Sequence, residues 1–463
     1  MMNNPLPIQH YIRPGNRVHL VGIGGVSMCP LAEILQGMGL TAQGSDISNS
    51  AAVEHLRTLD IPVAIGHNAE NLGDCDFVIR TAAVHDSNPE IAGAVARGIP
   101  VYERAQALGA IMQGYRNALC VSGTHGKTTT TSMCTHIFMA AETDPTVMIG
   151  GTLPLLNSGY RVGSGETIIL ESCEYCNSFL SFFPTVAVVL NVEADHLDFF
   201  KDLADIQNSF RQFCQLTPAT GHVIVNADDT GAMGALVNLD RPAFTFGLDN
   251  AADCTAANLR NENSFPVFDI MIRGELFAHV ALKVHGKHNV LNALAAASAA
   301  YVLGIPGSAV EQGLSTFTGA GRRFEYKGTY HGAAIYDDYA HHPDELRALL
   351  DSLKELDHQR VILAFQPHTY TRTSALFNEF VRELRRPAVA VVAEIYAARE
   401  SNTLGISSAD LCKEIPGSVY CSTLEKVTDQ LARLACPGDL ILTVGAGDIY
   451  RAGEKLLERE DTK

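Results

Sequence analysis

The chain has 463 residues, of which 46% are hydrophobic, and its 34 Lys and Arg against 51 Asp and Glu give a formal net charge of −17. A chain of this length exceeds what one hydrophobic core supports, which predicts about three domains. The acidic balance argues against nucleic acid or an anionic membrane as a partner, so local basic groups must bind any anionic ligand.

The N-terminal part of the chain predicts a cytoplasmic α/β protein. Its first residues lack the basic-then-apolar order of a signal peptide, and no apolar run in the sequence reaches membrane-spanning length. From residue 17 onward, strand-like apolar runs alternate with helix-like runs, as in a parallel sheet covered by helices. We therefore expect a first sheet within residues 1–116.

A glycine-rich turn follows the first predicted strand and precedes a predicted helix. Its sequence, Gly22-Ile-Gly24-Gly25-Val-Ser27, is similar to a dinucleotide-binding turn, except that Ser27 stands where the third glycine would fall. From these residues alone, nicotinamide or flavin binding, UDP binding and simple tight packing all stay open.

Three further polar residues are expected at the same edge of this sheet. Asp46 ends the second strand, where a carboxylate can accept hydrogen bonds from ribose hydroxyls. Thr81 and Asn88 lie in the loop 81–90, which follows another strand and faces the same crevice. Both side chains can donate to phosphate or sugar oxygens.

The run from Cys120 to Met133 predicts a phosphate-binding loop between a strand and a helix. Its core, Gly123-Thr-His-Gly-Lys-Thr128, combines backbone N–H groups, a helix N-terminus and the full charge of Lys127. Thr128 or Thr129 is placed to reach a Mg²⁺ ion on a polyphosphate. The spacing departs from the common P-loop, since only two residues separate the two glycines. Nucleotide binding is the favoured interpretation over a simple tight turn.

Carboxylates and an imidazole follow the next two predicted strands. Glu171 and Glu174 come after one strand, and His196 ends the segment 191–196 after another. Parallel strands open at one edge, so these groups should converge on the phosphate loop and favour Mg²⁺ there. The alternative is a set of helix-capping acids. The CxxC pair Cys173 and Cys176 has no second pair to complete a zinc site, and we predict reduced thiols.

The rest of the central segment predicts an antiparallel addition over residues 244–284 and a long helix over residues 289–303. Asn289 stands at the start of this helix, where it can contact an adenine edge or cap the helix. Arg322 and Arg323 lie at a segment junction. Their planar guanidinium groups suit phosphate charge, with an interdomain salt bridge as the alternative.

The last segment concentrates polar residues after two neighbouring strands. Asp337-Asp-Tyr-Ala-His-His342 follows one strand, and Gln366-Pro-His-Thr-Tyr-Thr-Arg372 follows another. The number of polar residues at these two strand ends is larger than helix capping requires. A carboxylate ligand held by His368 and Arg372, with His341 nearby, fits the chemistry of these groups.

Six separated motifs, in this order and over essentially the whole chain, resemble those of the Mur ligase family of bacterial cell-wall synthesis. They are the glycine turn, the phosphate loop, Glu193-Ala-Asp-His196, Gly286-Lys-His-Asn289, Asp337-Asp-Tyr-Ala-His-His342 and Phe365-Gln-Pro-His368. The sequence departs from the family pattern where Glu171-Ser-Cys-Glu-Tyr175 replaces Glu-Ala-Asp-Glu-Ser, which leaves open whether Glu171 or Glu174 is the closer metal ligand. Ser27 and Ala340 also replace glycines.

The resemblance implies an α/β fold of three domains, each mainly a parallel sheet with flanking helices. These are a Rossmann-like UDP-sugar-binding domain at 1–116, a P-loop ATPase domain with an antiparallel addition at 117–321, and a Rossmann-like amino-acid-binding domain at 322–463. It also implies ATP and Mg²⁺ as cofactors. The implied reaction is ATP-driven ligation of L-alanine to the lactyl carboxylate of UDP-N-acetylmuramate through an acyl phosphate, in peptidoglycan precursor synthesis.

The motifs and the resemblance together assign candidate residues to each ligand. The UDP-sugar set is Gly22, Gly24, Gly25, Ser27, Asp46, Thr81 and Asn88. The ATP set is Gly123, Thr124, His125, Gly126, Lys127, Thr128, Thr129, Asn289, Arg322 and Arg323. The metal set is Thr128, Glu171, Glu174 and His196, and the amino-acid set is Tyr339, His341, His368 and Arg372. The catalytic candidates are Lys127, His196 and His341, the last either as the base for the amine or as an orienting group.

Three other functions stay open at this point. A related ligase could attach a murein tripeptide to the same sugar nucleotide. The first segment also permits an NAD-binding oxidoreductase, although that leaves Lys127 and the carboxylates unexplained. A non-catalytic, ATP-switched binding protein is the third.

Overall fold

Three mainly parallel β-sheets with flanking helices form the protein, as the sequence predicts. The structure is a computed structural model that describes residues 6–81, 84–196, 199–398 and 400–459. The chain folds into two compact units, Met1–Thr318 with the first two sheets and Gly319–Lys463 with the third. The division of the first unit near residue 116 therefore stays a prediction.

The first sheet has five parallel strands in the order β3-β2-β1-β4-β5. Its strands are β1 Arg17–Val21, β2 Thr41–Asp46, β3 Val63–Ile65, β4 Phe77–Arg80 and β5 Val101–Glu103. Its helices are α1 Met28–Gly37, α2 Ala51–Thr58, α3 Pro89–Ala96 and α4 Arg104–Met112. The order reverses beside β1, so the glycine turn after β1 lies at the topological switch point, where open α/β sheets bind ligands.

The second sheet has ten strands in the order β15-β14-β13-β12-β11-β10-β6-β9-β7-β8. The strands are β6 Asn117–Ser122, β7 Thr146–Leu153, β8 Ser158–Arg161, β9 Thr167–Glu171, β10 Val186–Val189, β11 His222–Asn226, β12 Phe244–Gly247, β13 Cys254–Glu262, β14 Phe265–Ile272 and β15 Glu275–Ala281. The helices are α5 Lys127–Ala140, α6 Leu203–Gln215, α7 Thr230–Ala235, α8 Lys287–Val302 and α9 Gly307–Thr316. Short 3₁₀ segments include Tyr175–Ser181.

Two parts of this sheet differ from the sequence expectation. The antiparallel addition is confined to β13, β14 and β15, because β12 pairs in parallel with both β11 and β13. The hairpin of β7 and β8 was not expected at all. Its pairing register shifts between Met148 and Leu153, around two glycines, so the alternation that signals a strand is broken there.

The helix that follows the phosphate loop is buried although it is rich in threonine. Thr131, Ser132 and Thr135 each donate a side-chain hydrogen bond to the backbone carbonyl four residues earlier, at 2.8 Å. This satisfies their hydroxyls inside the protein. The helix packs on α8 and α9, and Gly313 of α9 comes so close that a Cβ there would lie 2.6 Å from the Ile137 Cα. Close packing thus fixes the helix behind the loop.

The third sheet has six strands in the order β16-β17-β21-β18-β19-β20, and only the β16–β17 pair is antiparallel. Its strands are β16 Glu325–Tyr330, β17 Ala333–Asp338, β18 Val361–Phe365, β19 Val389–Ala393, β20 Val419–Cys421 and β21 Leu440–Val444. Its helices are α10 Pro343–Ser352, α11 Tyr370–Ala375, α12 Phe377–Leu384, α13 Ser408–Glu414, α14 Leu424–Leu434 and α15 Tyr450–Glu458. None of the helices in the described part of the chain combines the length and the apolar character that crossing a bilayer demands.

Candidate active site

The glycine turn after β1 is held by the carboxylate predicted to bind ribose. The backbone N–H of Gly24 donates to Asp46 Oδ2 at 3.0 Å, and Ser48 N–H donates to Asp46 Oδ1 at 3.1 Å. A Cβ on Gly24 would lie 2.9 Å from the Val53 side chain, so the turn has no room for one. Gly22 has φ +79°, a conformation that favours glycine. The structure therefore brings Asp46 and the turn together.

Of the other sugar-nucleotide candidates, Ser27 and Thr81 lie at this turn, and Asn88 lies at the start of α3. Ser27 precedes α1 and makes no side-chain cap there. A Cβ on Gly22 would lie 3.1 Å from the Thr81 Cγ2, which places Thr81 beside the turn. Asn88 caps α3, because its Oδ1 accepts the Glu90 N–H at 2.9 Å. Residues 82 and 83 of the predicted loop 81–90 lie outside the described residues.

Asn191 holds the phosphate loop, a role that the sequence does not predict. Thr124 N–H donates to the Asn191 backbone carbonyl at 3.1 Å, and His125 N–H donates to Asn191 Oδ1 at 2.7 Å. These two amides thus face Asn191. The N–H groups of the first turn of α5 can donate to a phosphate. This helix begins at Lys127, after Gly126 with φ +82°. Only the position of Asn191 after a strand that neighbours β6 could have revealed this role.

Lys127 forms an ion pair with Glu174 at the mouth of the loop. Lys127 Nζ lies 3.1 Å from Glu174 Oε2 and also donates to the carbonyls of Gly123 and Thr124. Burial alone would lower the pKa of Lys127, but the neighbouring Glu174 carboxylate raises it above the ordinary range. The lysine is therefore charged, and an arriving phosphate would compete with Glu174 for it.

The metal candidates form two adjacent groups. Thr128 Oγ1 donates to Glu171 Oε1 at 3.1 Å, while Glu171 Oε2 accepts the Gly150 N–H at 2.7 Å. Glu174 Oε1 lies 3.8 Å from the Nε2 of His196, whose ring contacts Tyr175 at a centroid distance of 4.7 Å. Within the described ranges, no three His, Cys, Asp or Glu side chains converge into a metal site of their own. Phosphate oxygens would have to complete the coordination.

Asn289 lies at the start of α8 and joins this helix to the phosphate loop through a neighbour. Its Nδ2 donates to the His285 carbonyl at 2.7 Å, and its Oδ1 accepts from Asn292 at 3.2 Å. Asn292 in turn accepts from Thr130 of α5 at 3.2 Å. The N-cap of α8 is Gly286, without a side-chain cap, so Asn289 does not cap the helix, and the adenine contact stays a prediction. Asn292 was not selected from the sequence, because a buried amide within an alanine-rich helix carries no signal.

The two junction arginines differ in their surroundings. The Arg322 guanidinium donates to Asp337 Oδ2 at 2.9 Å and to the carbonyls of Gly445 and Gly447. These bonds occupy Arg322 within the second unit. Arg323 lies over the Tyr339 ring, with its Cζ 5.3 Å from the ring centroid. Phosphate binding by either arginine stays a prediction.

The amino-acid candidates come together at the ends of β17 and β18 in the second unit. The rings of His341 and His368 lie 5.9 Å apart, and Tyr339 is 5.5 Å from His341. The guanidinium nitrogen Nη1 of Arg372 lies 3.4 Å from His368 Nδ1. Tyr396, which the sequence does not predict here, stacks on His368 with the ring centroids 5.7 Å apart. The four predicted residues therefore form one cluster.

Both histidines of this cluster are held in the neutral form. Burial lowers the pKa of His341, and the Arg372 guanidinium lowers it further, although Glu345 acts in the opposite direction. Burial, followed by His341 and Arg372, lowers the pKa of His368 to about 4. A neutral imidazole beside a guanidinium can accept a proton from, or donate a hydrogen bond to, a ligand with an amine and a carboxylate.

Comparison with known families covers all three sheets. Residues 17–116 match the Mur ligase family catalytic domain, residues 121–300 the Mur ligase middle domain, and residues 322–447 the Mur ligase glutamate ligase domain. The chain belongs to the Mur ligase family. The resemblance drawn from six sequence motifs is thereby confirmed.

Individual Mur ligases resemble the chain over nearly its full length. The UDP-N-acetylmuramate–L-alanine ligase of Clostridium novyi is 46% identical over 454 residues, which cover 97% of this chain and 99% of that protein. The crystal structure of the UDP-N-acetylmuramate–alanine ligase from Thermotoga maritima has a TM-score of 0.79 at 29% identity, over 96% of this chain and 99% of that one. A murein peptide ligase from Psychrobacter arcticus shares the fold, with a TM-score of 0.71 at 24% identity, over 96% of this chain and 98% of that one.

Proposed function

We propose that this protein is an ATP-dependent ligase that joins L-alanine to the lactyl carboxylate of UDP-N-acetylmuramate. The observation that carries the proposal is the position of Lys127, charged and flanked by carboxylates at the start of a buried helix. Such a site suits phosphoryl transfer from ATP. The two other substrates are those of the relatives with which the chain shares up to 46% identity.

Lys127 serves the first step, in which the γ-phosphoryl group moves to a carboxylate. Two anions must approach each other, and a charged lysine between them offsets their repulsion. The N–H groups at the start of α5 add partial positive charge at the same place. When phosphate arrives, Lys127 exchanges its ion pair with Glu174 for the stronger charge of the nucleotide.

The residues around the loop fit a Mg²⁺ ion bound together with ATP. Thr128 and Glu171 offer two hard oxygen donors 3.1 Å apart, and Glu174 and His196 stand beside them. The bound ion neutralises charge on the phosphate oxygens. Of the two glutamates, we expect Glu171 to be the closer ligand, because its Oε1 already lies beside the other oxygen donor, the Thr128 hydroxyl.

The cluster in the second unit serves the amino acid. Arg372 is suited to pair with the carboxylate of L-alanine, and His368 donates one hydrogen bond beside it. His341, whose pKa burial lowers, is our candidate either to accept a proton from the α-amine or to orient it. The freed amine attacks the acyl phosphate, and the tetrahedral intermediate collapses to an amide and inorganic phosphate.

The test is phosphate release from ATP with UDP-N-acetylmuramate and one of three additions: L-alanine, the murein tripeptide or none. We expect release to depend on L-alanine. Dependence on the tripeptide would instead assign the recycling reaction, and release with neither would exclude ligation. Lys127→Ala should abolish release. Because it strands the buried Glu174 carboxylate, thermal unfolding of the variant must be measured in parallel.

Binding of NAD separates the proposal from an oxidoreductase on the same fold. Calorimetry should detect UDP-N-acetylmuramate binding and no NAD binding. Micromolar NAD affinity would contradict the proposal.

A further inference from the structure

Arg104 is a partly buried cation without a carboxylate partner in the first unit. It is the first residue of α4 and follows β5 directly, so it stands at the edge of the sheet where the glycine turn also lies. Among the described residues, its guanidinium has neither a hydrogen bond nor an ion pair. A cation at a helix N-terminus is also opposed by the helix dipole. The guanidinium is therefore available to an anionic ligand.

The adjacent acid does not neutralise this arginine. Glu103 accepts a hydrogen bond from Arg80 Nε at 2.7 Å and takes part in a capping box with Gln106 at the start of α4. Several other partly buried arginines among the described residues have carboxylate partners, although Arg211 and Arg372 do not. Arg360 pairs with Asp439 at 2.8 Å, for example, as Arg322 does with Asp337. Arg104 differs from these by its open guanidinium.

The structure places Arg104 beside the phosphate-transfer groups of the second sheet. Helix α4 packs against the 3₁₀ segment Tyr175–Ser181, which begins right after Glu174. The approach is so close that a Cβ on Gly109 of α4 would lie 1.9 Å from the Ser181 carbonyl oxygen. Cys173, the residue before Glu174, lies near enough to both Arg104 and Lys127 for its ionised form to raise their pKa values. The two cations therefore flank one residue of the carboxylate loop.

Burial also affects the charge of this group. It lowers the pKa of Arg104, and the nearby Cys173 and Glu103 only partly compensate. A guanidinium so far from full solvation gains more from an anionic partner than an exposed one does. It remains protonated at neutral pH, since an arginine is not deprotonated in proteins.

We propose that Arg104 binds the carboxylate of the acceptor sugar nucleotide and holds it for phosphorylation. The inference rests on the proposed function and deepens it. In the proposed function the UDP part of the acceptor binds to the first domain, which also contains Arg104. The carboxylate of the acceptor must then reach the γ-phosphate near Lys127. The planar fork of the guanidinium matches two carboxylate oxygens, and the same contact persists on the acyl oxygen after phosphoryl transfer.

The test compares two sugar nucleotides that differ only in the lactyl group. Calorimetry would measure the binding of UDP-N-acetylmuramate and of UDP-N-acetylglucosamine, which lacks the carboxylate, to the full chain and to Arg104→Gln and Arg104→Lys. In Arg104→Gln we expect affinity for the first ligand to fall more than about tenfold, and affinity for the second to change less than about twofold. Arg104→Lys should lie between, because it keeps the charge and loses the fork.

A matched control and a stability measurement separate binding from structure. Arg116→Gln removes an arginine that is 77% exposed and paired with Glu166 at the surface, and it should change neither affinity. Removing the unpartnered Arg104 charge should leave the thermal midpoint unchanged or raise it. A lower midpoint with unchanged binding would show a structural role and overturn the inference.

Other outcomes of the same experiment distinguish a failure of the carboxylate contact from a failure of the proposed function. Equal losses for both sugar nucleotides would assign Arg104 to the diphosphate and overturn the carboxylate contact. If the unchanged protein does not prefer UDP-N-acetylmuramate, the proposed function itself fails. If that preference is present and Arg104→Gln retains it, only the present inference fails.

Discussion

Single residues of the amino-acid cluster should differ in what they contribute to the reaction. Arg372→Ala should raise the KM for L-alanine, since a desolvated bidentate pair with a carboxylate is worth about 2–5 kcal/mol. His368→Ala should have a milder effect, because it offers one hydrogen bond. The measurement is the KM for L-alanine with both other substrates saturating. A rise confined to ATP would contradict the assignment of the cluster, and lysine at position 372 should rescue only in part.

A buried glutamate organises the first sheet behind the sugar-nucleotide turn. Glu90 is fully buried and accepts hydrogen bonds from His19, Ser45 and Asn71. Burial alone would raise the pKa of Glu90, but these donors lower it from 4.5 to about 2. Ser45 directly precedes Asp46, so the network also fixes the carboxylate that holds the glycine turn. The ionised form of Glu90 is thus part of the fold.

This network predicts a pH-dependent contribution to stability. Because the folded-state pKa of Glu90 is depressed, its contribution is complete above about pH 4.5 and is lost as the pH falls toward 2. Glu90→Gln should therefore lower the free energy of unfolding at about pH 7, and the difference should narrow below about pH 4.5. Urea unfolding at several pH values measures it, with the exposed Glu54→Gln as control. A constant difference would show a loss of packing instead.

The sequence predicted which charged and imidazole side chains lie near one another at the strand ends. Lys127, Glu171 and His341 follow strand ends, and parallel topology brings such ends together. Asn191 and Asn292 escaped prediction because a buried amide acts through the backbone or the helix that it meets, and that partner is distant in sequence. Arg104 escaped for a related reason. An arginine at the start of a helix carries no sequence signal, because only the structure shows that it has no carboxylate partner.

At the scale of elements, the hairpin of β7 and β8 links the two sheets of the first unit. Tyr160 of β8 donates its hydroxyl to Glu33 of α1, the helix behind the glycine turn, and Glu33 also contacts His55 at 3.0 Å. On the other strand, Gly150 holds Glu171. The hairpin therefore connects the sugar-nucleotide turn with the metal candidates, although its glycines and irregular register concealed it in the sequence.

Tyr160→Phe tests this link. Losing the hydroxyl should lower the free energy of unfolding by about 1–2 kcal/mol, because it removes a hydrogen bond to a charged partner. Hydrogen exchange should increase in residues 146–161 and around α1, with little change in β10 and β11. Tyr326→Phe, which removes an exposed hydroxyl in the second unit, is the control. Faster exchange throughout the first unit would indicate general destabilisation and contradict a local link.

At the scale of the whole molecule, each compact unit has its own core. Every hydrophobic cluster of the described residues lies wholly within residues 1–318 or wholly within residues 319–463. Sequence predicted the three sheets well, since long buried strands alternate with helices. It could not show that the first two form one compact unit, because the contacts of α4 with the segment Tyr175–Ser181 are long-range and carry no local pattern.

Separate cores predict that the two units fold independently, and ligands should distinguish them. A fragment of residues 319–463, with about 145 residues, is large enough to unfold cooperatively on its own. ATP with Mg²⁺ should raise the thermal midpoint of the fragment 1–318, because the phosphate loop lies there, and should leave that of 319–463 unchanged. Lys127→Ala in the first fragment should remove the shift. A midpoint shift in the second fragment alone would place nucleotide binding away from Lys127, and the phosphate-loop assignment would then be wrong.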